Sequence, residues 1–216
     1  MIKLLIFDHD MTIVDSSAAI MAGINLVAEA VGKPPVTRET VLRFAAVPLR
    51  DFFKGIWGEC REEWIGLYRE KVEPLECEQI RPFPEVPRVL TKLREMGFFL
   101  AVASNRLNPR AAMDKSQTSG YFDAIVGSMD MPPKPDPAML HYLMERFGVS
   151  CAETLYVGDS DVDMETGRAA GVRCVGVAKG NFTEEQLKKL GAWRVAEPLD
   201  DLLSVVEDAA VQEREC

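Results

Sequence analysis

The sequence has no Cys-x-x-Cys pair, no internal repeat, no low-complexity tract and no apolar run of membrane-spanning length. Each absence removes a class of protein. The five cysteines, Cys60, Cys77, Cys151, Cys174 and Cys216, are an odd number without paired spacing. They read as neither a disulfide framework nor a zinc site, and their usage is that of a reduced, cytoplasmic protein. Asp8 and Asp10 interrupt the first apolar run, so no secretory signal pattern opens the sequence. A membrane helix would need about 20 consecutive apolar residues, and no stretch approaches that. Positive charge is in deficit, with 25 Lys and Arg against 34 Asp and Glu and a net charge of -9. That balance argues against a nucleic-acid or anionic-membrane partner. It still allows an anionic small molecule in a locally positive pocket.

What is present is enough apolar material for a core: 47% of 216 residues, the scale of one domain or of one domain with a small insert. The chain opens with a short, mostly apolar run of five residues, Lys3-Leu4-Leu5-Ile6-Phe7, which reads as a buried strand. From there to about residue 78 the spacing is helical throughout. Ser16 or Ser17 is placed to cap a first helix carrying Ile20, Ile24, Val27, Ala28 and Val31, which Gly32 closes. Phe52, Phe53, Ile56 and Trp57 make an apolar helical face, and Trp64, Ile65, Leu67 and Tyr68 another. These aromatics read as the insert's own core rather than a substrate platform. From residue 81 the rhythm changes. Helices are expected at 85–96, 109–118, 138–147, 161–170, 183–190 and 198–209. Strands are expected at 98–103, 124–126, 155–157 and 173–177, with a weak edge strand at 193–195. Alternating strands and helices predict a parallel sheet covered on both faces, class α/β. The expected division is a core of residues 1–15 and 81–216 and a helical insertion of residues 16–80. The ending, 211–216, reads as frayed.

In such a sheet ligands sit at the carboxyl ends of the strands. Asp8 and Asp10 follow the first strand two residues apart, which in extended chain points both to one side. Two carboxylates so placed repel unless a proton or cation compensates them, and Mg²⁺ is the simplest such cation. The bland alternative is an acidic turn capping the next helix. Ser104-Asn105 and Asp159 also lie at strand ends, and Lys134 lies on the stiff Pro-rich loop 132–137. Alone, Ser104-Asn105 reads as a turn, while Lys134 reads equally as a solvated charge or as a site cation. Together the clusters supply a nucleophile, hydroxyl and amide donors, a cation and metal ligands, which are the parts of phosphoryl transfer.

In order along the chain stand Asp8-His9-Asp10-Met11-Thr12, Ser104-Asn105, Lys134-Pro135-Asp136-Pro137 and Gly158-Asp159-Ser160-Asp161-Val162-Asp163. These resemble the four motifs of the haloacid dehalogenase superfamily. The helical insert after the first motif resembles the small cap of its phosphoglycolate phosphatase and β-phosphoglucomutase branch. The resemblance implies a Rossmann-like parallel sheet with the Asp8 strand central and beside the Asp159 strand, an inserted α-helical cap, Mg²⁺ and an aspartyl-phosphate intermediate. It implies Asp8 as nucleophile and metal ligand, and Asp10 as a general acid/base, protonated at the outset, with its backbone carbonyl on the metal. It implies Thr12 as a support of that loop. Ser104 and Lys134 would bind phosphate, with Asn105 a neighbouring amide donor. Asp159 would bind metal, and Asp163 would bind it or stand behind a ligand.

The implied activity is a phosphatase of small phosphorylated metabolites, a monomer or homodimer. A phosphomutase of the β-phosphoglucomutase type and a non-catalytic phospho-ligand binder are the alternatives. A dehalogenase is disfavoured, because that branch lacks a carboxylate at the Asp10 position. A phosphonate hydrolase would need an activated cap lysine, and neither Lys33 nor Lys54 is marked as one. Two residues depart from the family pattern: Met11 stands where Gly is usual, and His9 where an apolar residue is usual. Strand alternation would turn His9 away from Asp8 and Asp10, as a packed or solvated histidine. Arg50, near the break at Pro48, is a possible cap residue facing the site.

Overall fold

The computed structural model of the protein describes residues 1–44, 46–180 and 182–212. The chain starts as strand β1 (Leu4–Phe7) and a two-residue strand β2 (Val14–Asp15). Helices α1 (Ser17–Val31), α2 (Arg38–Phe44), α3 (Leu49–Trp57) and α4 (Glu62–Leu67) follow. A π-helical turn, Tyr68–Val72, joins α4 to α5 (Glu73–Gln79). The return strand β3 (Arg81–Pro82) leads to α6 (Val86–Glu95), β4 (Phe99–Ala103), α7 (Pro109–Lys115) and β5 (Ala124–Val126). Then come α8 (Ala138–Phe147), β6 (Thr154–Gly158), α9 (Asp161–Ala170), β7 (Arg173–Val177), α10 (Glu184–Lys189), β8 (Arg194–Ala196) and α11 (Asp201–Gln212). Of the ending expected to fray, residues 213–216 lie outside the described residues.

Six strands form one parallel sheet in the order β5-β4-β1-β6-β7-β8. β1 is central and all four of its residues are buried, as a parallel strand covered on both faces requires. Its alternation divides the core. Leu5 and Phe7 pack with Leu100, Val102, Leu155 and Val157 under α6 and α11, while Leu4 and Ile6 pack with Ala101, Tyr156 and the α8 residues Met139, Leu140 and Leu143.

A third cluster belongs to the helices between β2 and β3. Ile20, Ile24 and Val27 of α1 meet Val41, Phe52, Phe53, Trp64, Ile65 and Tyr68. Phe53 is fully buried and stacks on Trp57 at 5.1 Å, so these aromatics are interior residues of the helical segment. At about 25 cal/mol per Å² of apolar surface, a large side chain such as Phe53 contributes roughly 2–3 kcal/mol of burial. The two chain crossings pair as an antiparallel ribbon, Val14 with Pro82 and Asp15 with Arg81. Sequence periodicity misses this ribbon because two-residue strands have no pattern to read. The expected Ser16 cap is also different: Ser16 is the cap residue, but its hydroxyl caps nothing. Asp15 Oδ1 instead accepts from the Ser17 backbone N–H at 3.1 Å and from its hydroxyl at 2.6 Å. Helix α7 ends at Lys115 rather than 118: Gln117 takes the left-handed region at φ 58°, and the Ser116 and Thr118 hydroxyls both donate to Met113 O.

Candidate active site

The carboxyl ends of the three central strands converge on one cavity of about 670 Å³, roofed by α3, α4 and the loop after α2. Asp8 leaves β1 with its backbone N–H donated to Val157 O at 2.8 Å, so the ladder carries on one residue past the strand. The chain then turns sharply. Met11 N–H donates to Val14 O at 2.8 Å and Ile13 N–H to His9 O at 3.0 Å. The turn places Met11 at φ 61°, the left-handed region that suits Gly, and buries its side chain at 2% exposure against the cavity.

The turn also corrects the expectation for His9. Strand alternation stops at the turn, and the fully buried His9 brings Nδ1 to 3.5 Å from Asp10 Oδ2. That is beyond a good hydrogen bond, and neither ring nitrogen has a hydrogen-bond partner among the described residues.

Lys134 is the hub of the site. It is buried, and its Nζ donates to Asp8 Oδ1 at 2.6 Å, Asp163 Oδ1 at 2.8 Å and Tyr156 Oη at 3.0 Å. Burial works against its charge, but Asp163 and Asp8 outweigh burial and hold the ammonium protonated above its ordinary range. The reading of Lys134 as a solvated loop charge is thereby overturned. The Tyr156 hydroxyl donates to Asp163 Oδ1 at 2.6 Å, and Ser160 donates to Asp163 Oδ2 from its hydroxyl at 2.6 Å and its backbone N–H at 3.2 Å. With Lys134 above all, these donors hold Asp163 ionised despite its burial. The same Ser160–Asp163 exchange is the capping box of α9.

Asp8 and Asp159 are less well compensated. Burial, followed by the Asp163 and Asp10 charges, lifts the Asp8 carboxyl to about 7 although Lys134 opposes it. Burial and then the Asp163 and Asp8 charges push Asp159 well above the carboxylate range. One carboxylate oxygen from each of Asp8, Asp159 and Asp163 lies within 4.8 Å of the others. Thr12 Oγ1 lies 3.4 Å from Asp159 Oδ1. Gly180 faces the same carboxylate so closely that a Cβ there would fall 1.9 Å from Asp159 Oδ2. Hard oxygen donors, buried and short of positive charge, fit a hard divalent cation.

Asp10 differs from the expectation that it begins protonated. Arg106 grips it with both arms of the fork, Nε to Oδ2 at 2.7 Å and Nη2 to Oδ1 at 2.8 Å. Burial would raise its pKa, but the Arg106 guanidinium above all holds the carboxyl well below the usual range. Asp10 lies outside the three-carboxylate cluster.

Ser104 is buried at the end of β4, and its Oγ accepts from the Arg106 backbone N–H at 3.2 Å. Asn105 corrects a further expectation. Its amide nitrogen donates to Lys134 O at 3.1 Å and to Ala46 O at 2.9 Å, and its oxygen accepts from Lys134 N–H at 2.7 Å. It clamps the Lys134 loop and ties it to the helical segment, in place of offering a free amide to phosphate. Asp161 lies outside the three-carboxylate cluster, and its Oδ1 accepts from the next backbone N–H, Val162, at 2.9 Å. Arg50 lines the cavity rim but is partly exposed and paired with Glu62. Lys33 pairs with Glu59 at 2.6 Å and Lys54 with Asp51 at 3.6 Å, and neither lines the cavity.

Sequence reasoning missed Arg106, Tyr156, Ser160 and Gly180. Arg106 carried a usable signal, because it stands two residues after Ser104, the spacing that linked Asp8 to Asp10. Tyr156 carried a weaker one, a hydroxyl in the middle of an otherwise apolar strand. Gly180 had none, since its role is the space that Asp159 needs.

Comparison with known proteins agrees with this arrangement. The family described as haloacid dehalogenase-like hydrolase matches residues 5–177. A phosphoglycolate phosphatase of Aquifex aeolicus is 30% identical over 175 residues, covering 79% of this chain and 82% of the relative. The pyrophosphatase PpaX of Bacillus velezensis is 29% identical over 207 residues, covering 93% and 94%. Among solved structures, a haloacid dehalogenase-like hydrolase of Bacteroides fragilis superposes with TM-score 0.87 at 27% identity, covering 94% of this chain and all of that one. With the motifs, the sheet order and the buried carboxylate cluster in agreement, the chain belongs to the haloacid dehalogenase-like hydrolases.

Proposed function

We propose that the protein is a Mg²⁺-dependent phosphatase of small phosphorylated metabolites. The observation that carries the reading is Lys134. One buried ammonium balances Asp8 and Asp163 at the floor of a cavity that Ser104 and Asp159 also line. Relatives named phosphoglycolate phosphatase support the same substrate scale.

Asp8, Asp159 and, behind them, Asp163 would hold the cation. When bound it neutralises the carboxylates and the phosphoryl oxygens, so that a dianion can approach an anionic nucleophile. The rest falls to the protein. Ser104 and Lys134 orient the phosphoryl group in line with Asp8. An Asp8 oxygen attacks phosphorus, the ester P–O bond breaks, and the leaving oxygen takes a proton. A water then attacks the same phosphorus, the Asp8 O–P bond breaks, and inorganic phosphate leaves.

Asp10 serves both proton transfers. As the partner of Arg106 it is ionised, but both oxygens are engaged, so it must part from Arg106 before it accepts the water's proton. To donate to the leaving oxygen it must first be protonated and released from Arg106. The reading also assigns residues 16–80 as a cap that opens to admit substrate and closes to exclude water, with the Asn105–Ala46 hydrogen bond as one contact across the closed faces.

The test is phosphate release from a panel of phosphorylated metabolites with Mg²⁺, for the wild type and Asp8→Asn. Mass spectrometry would look for a phosphoryl group on residue 8. Release from at least one small phosphomonoester, lost with EDTA and in Asp8→Asn, is expected. Full activity of Asp8→Asn would overturn the assignment.

A further inference from the structure

Lys134 and Ser104 account for a phosphoryl group, yet the cavity holds a second buried cation that this chemistry does not consume. The side chains of Arg106 and Asp10 are only 9% and 15% exposed. A buried ion pair of this kind is weak evidence for stability, because desolvating both charges costs about as much as their attraction returns. The Arg106 backbone is firmly held. Its N–H donates to Ser104 Oγ at 3.2 Å, and its carbonyl accepts from Ser128 N–H at 2.9 Å. Gly127 packs so closely beneath that a Cβ would come within 2.8 Å of the same carbonyl. The backbone is thus fixed beside Ser104, and the guanidinium it carries, paired with Asp10, places its fork in the same cavity as the phosphoryl cradle. Asp10, its present partner, is the group assigned to the leaving oxygen, so the fork lies on the leaving-group side. It meets Asp10 through two parallel contacts of 2.7 and 2.8 Å, the geometry in which guanidinium recognises a planar carboxylate.

We propose that Arg106 is a specificity-determining residue that binds a carboxylate on the leaving group of the phosphomonoester, the substrate's carboxylate taking the fork in place of Asp10. The substrate class is then a phosphorylated hydroxy acid with its carboxylate a few bonds from the ester oxygen. The exchange also frees Asp10 to face the leaving oxygen only when such a substrate is present. This inference rests on the phosphatase reading.

The experiment compares phosphoglycolate with ethyl phosphate in turnover. In parallel, calorimetry with Mg²⁺ compares the non-hydrolysable 3-phosphonopropionate with propylphosphonate. The wild type should favour the acid of each pair. In Arg106→Gln the acid-to-neutral ratio of kcat/KM, and of binding constants, should fall about 10- to 100-fold, the worth of a charge-assisted hydrogen bond. Arg106→Lys, which keeps the charge but not the fork, should fall between the two. An unchanged ratio in Arg106→Gln, or a preference for ethylene bisphosphate over phosphoglycolate that Arg106→Gln abolishes, would overturn the proposal. A wild type that hydrolyses no ester would sink the phosphatase reading, while the calorimetric pair would still decide the role of Arg106.

Discussion

Lys134 and Met11 show how much one residue's surroundings decide. Lys134 reads in sequence as a charge between prolines. In the fold its ammonium is sealed between Asp8, Asp163 and Tyr156. Lys134→Ala leaves three buried carboxylates without their nearest counter-charge, so kcat/KM should fall at least about 100-fold, as when a preorganised charge partner is removed. Steady-state kinetics would check this, and a loss of less than about threefold would reduce Lys134 to a structural contact. Met11 is the reverse case, an unusual residue whose consequence lies in the backbone. At φ 61° any L side chain is strained, so the ordinary ranking of Ala over Gly should invert. Met11→Gly and Met11→Ala both lose the buried thioether chain, but only Gly also relieves the strain. Met11→Gly should therefore be the more stable of the two by about 1 kcal/mol in urea unfolding. Equal stabilities would mean that the turn relaxes on its own.

Among the elements, the strand ends and helix starts carry the site. The N-terminus of α9 is joined to the cavity floor because Ser160 and Asp163 cap the helix while Asp163 holds Lys134. Ser160→Ala should cost about 1 kcal/mol of stability through the cap alone. It should also loosen Asp163 and lower activity, and thermal melts alongside kinetics separate the two effects. The loop after β7 approaches Asp159 through Gly180, where a methyl group has no room. Gly180→Ala should displace that carboxylate and weaken Mg²⁺ binding about 10- to 100-fold, the range for residues that orient a metal ligand. The melting temperature without metal should change little. Titration calorimetry is the check, and unaltered affinity would mean that the loop gives way instead of Asp159.

For the molecule as a whole, the clustered carboxylates should make stability depend on pH and, through the proposed cation site, on divalent cations together. In the folded, metal-free chain the Asp8 carboxyl keeps its proton to about 7, against 3.8 for the ordinary group. Between those values the folded chain binds more protons than the unfolded one, so stability falls as pH rises. Asp159, also raised, acts in the same direction. Asp10 and Asp163, held low, have already made their contribution above the ordinary carboxylate range and add no slope there. In EDTA the melting temperature should therefore decline from about pH 5 to pH 8. A cation competes with the protons on the cluster, so Mg²⁺ should stabilise most at the upper end of that range and flatten the decline. Calorimetric scans across the range would decide it, and a melting temperature in EDTA that climbs with pH would contradict the cluster's assignment.

The residues alone determined the alternation of strands and helices and the strand-end positions of Asp8, Ser104 and Asp159, while the central place of β1 came from the family resemblance and is borne out by the sheet order. The alternation and the strand-end positions follow from local spacing: apolar periodicity marks an element, and a polar residue just past a strand must lie at the sheet's edge. The helices between β2 and β3 were legible for the same reason, because their apolar faces repeat at helical spacing. The β2–β3 ribbon was not, since its partners are more than 60 residues apart and each is only two residues long. The protonation of the carboxylates was not legible either. Asp8, Asp10, Asp159 and Asp163 are one residue type, yet the fold pushes two up and two down. Charge at a buried site depends on burial and on which counter-ions lie within a few ångströms. Arg106 reaches Asp10 across 96 residues and Lys134 reaches Asp8 across 126, distances that only the folded sheet closes.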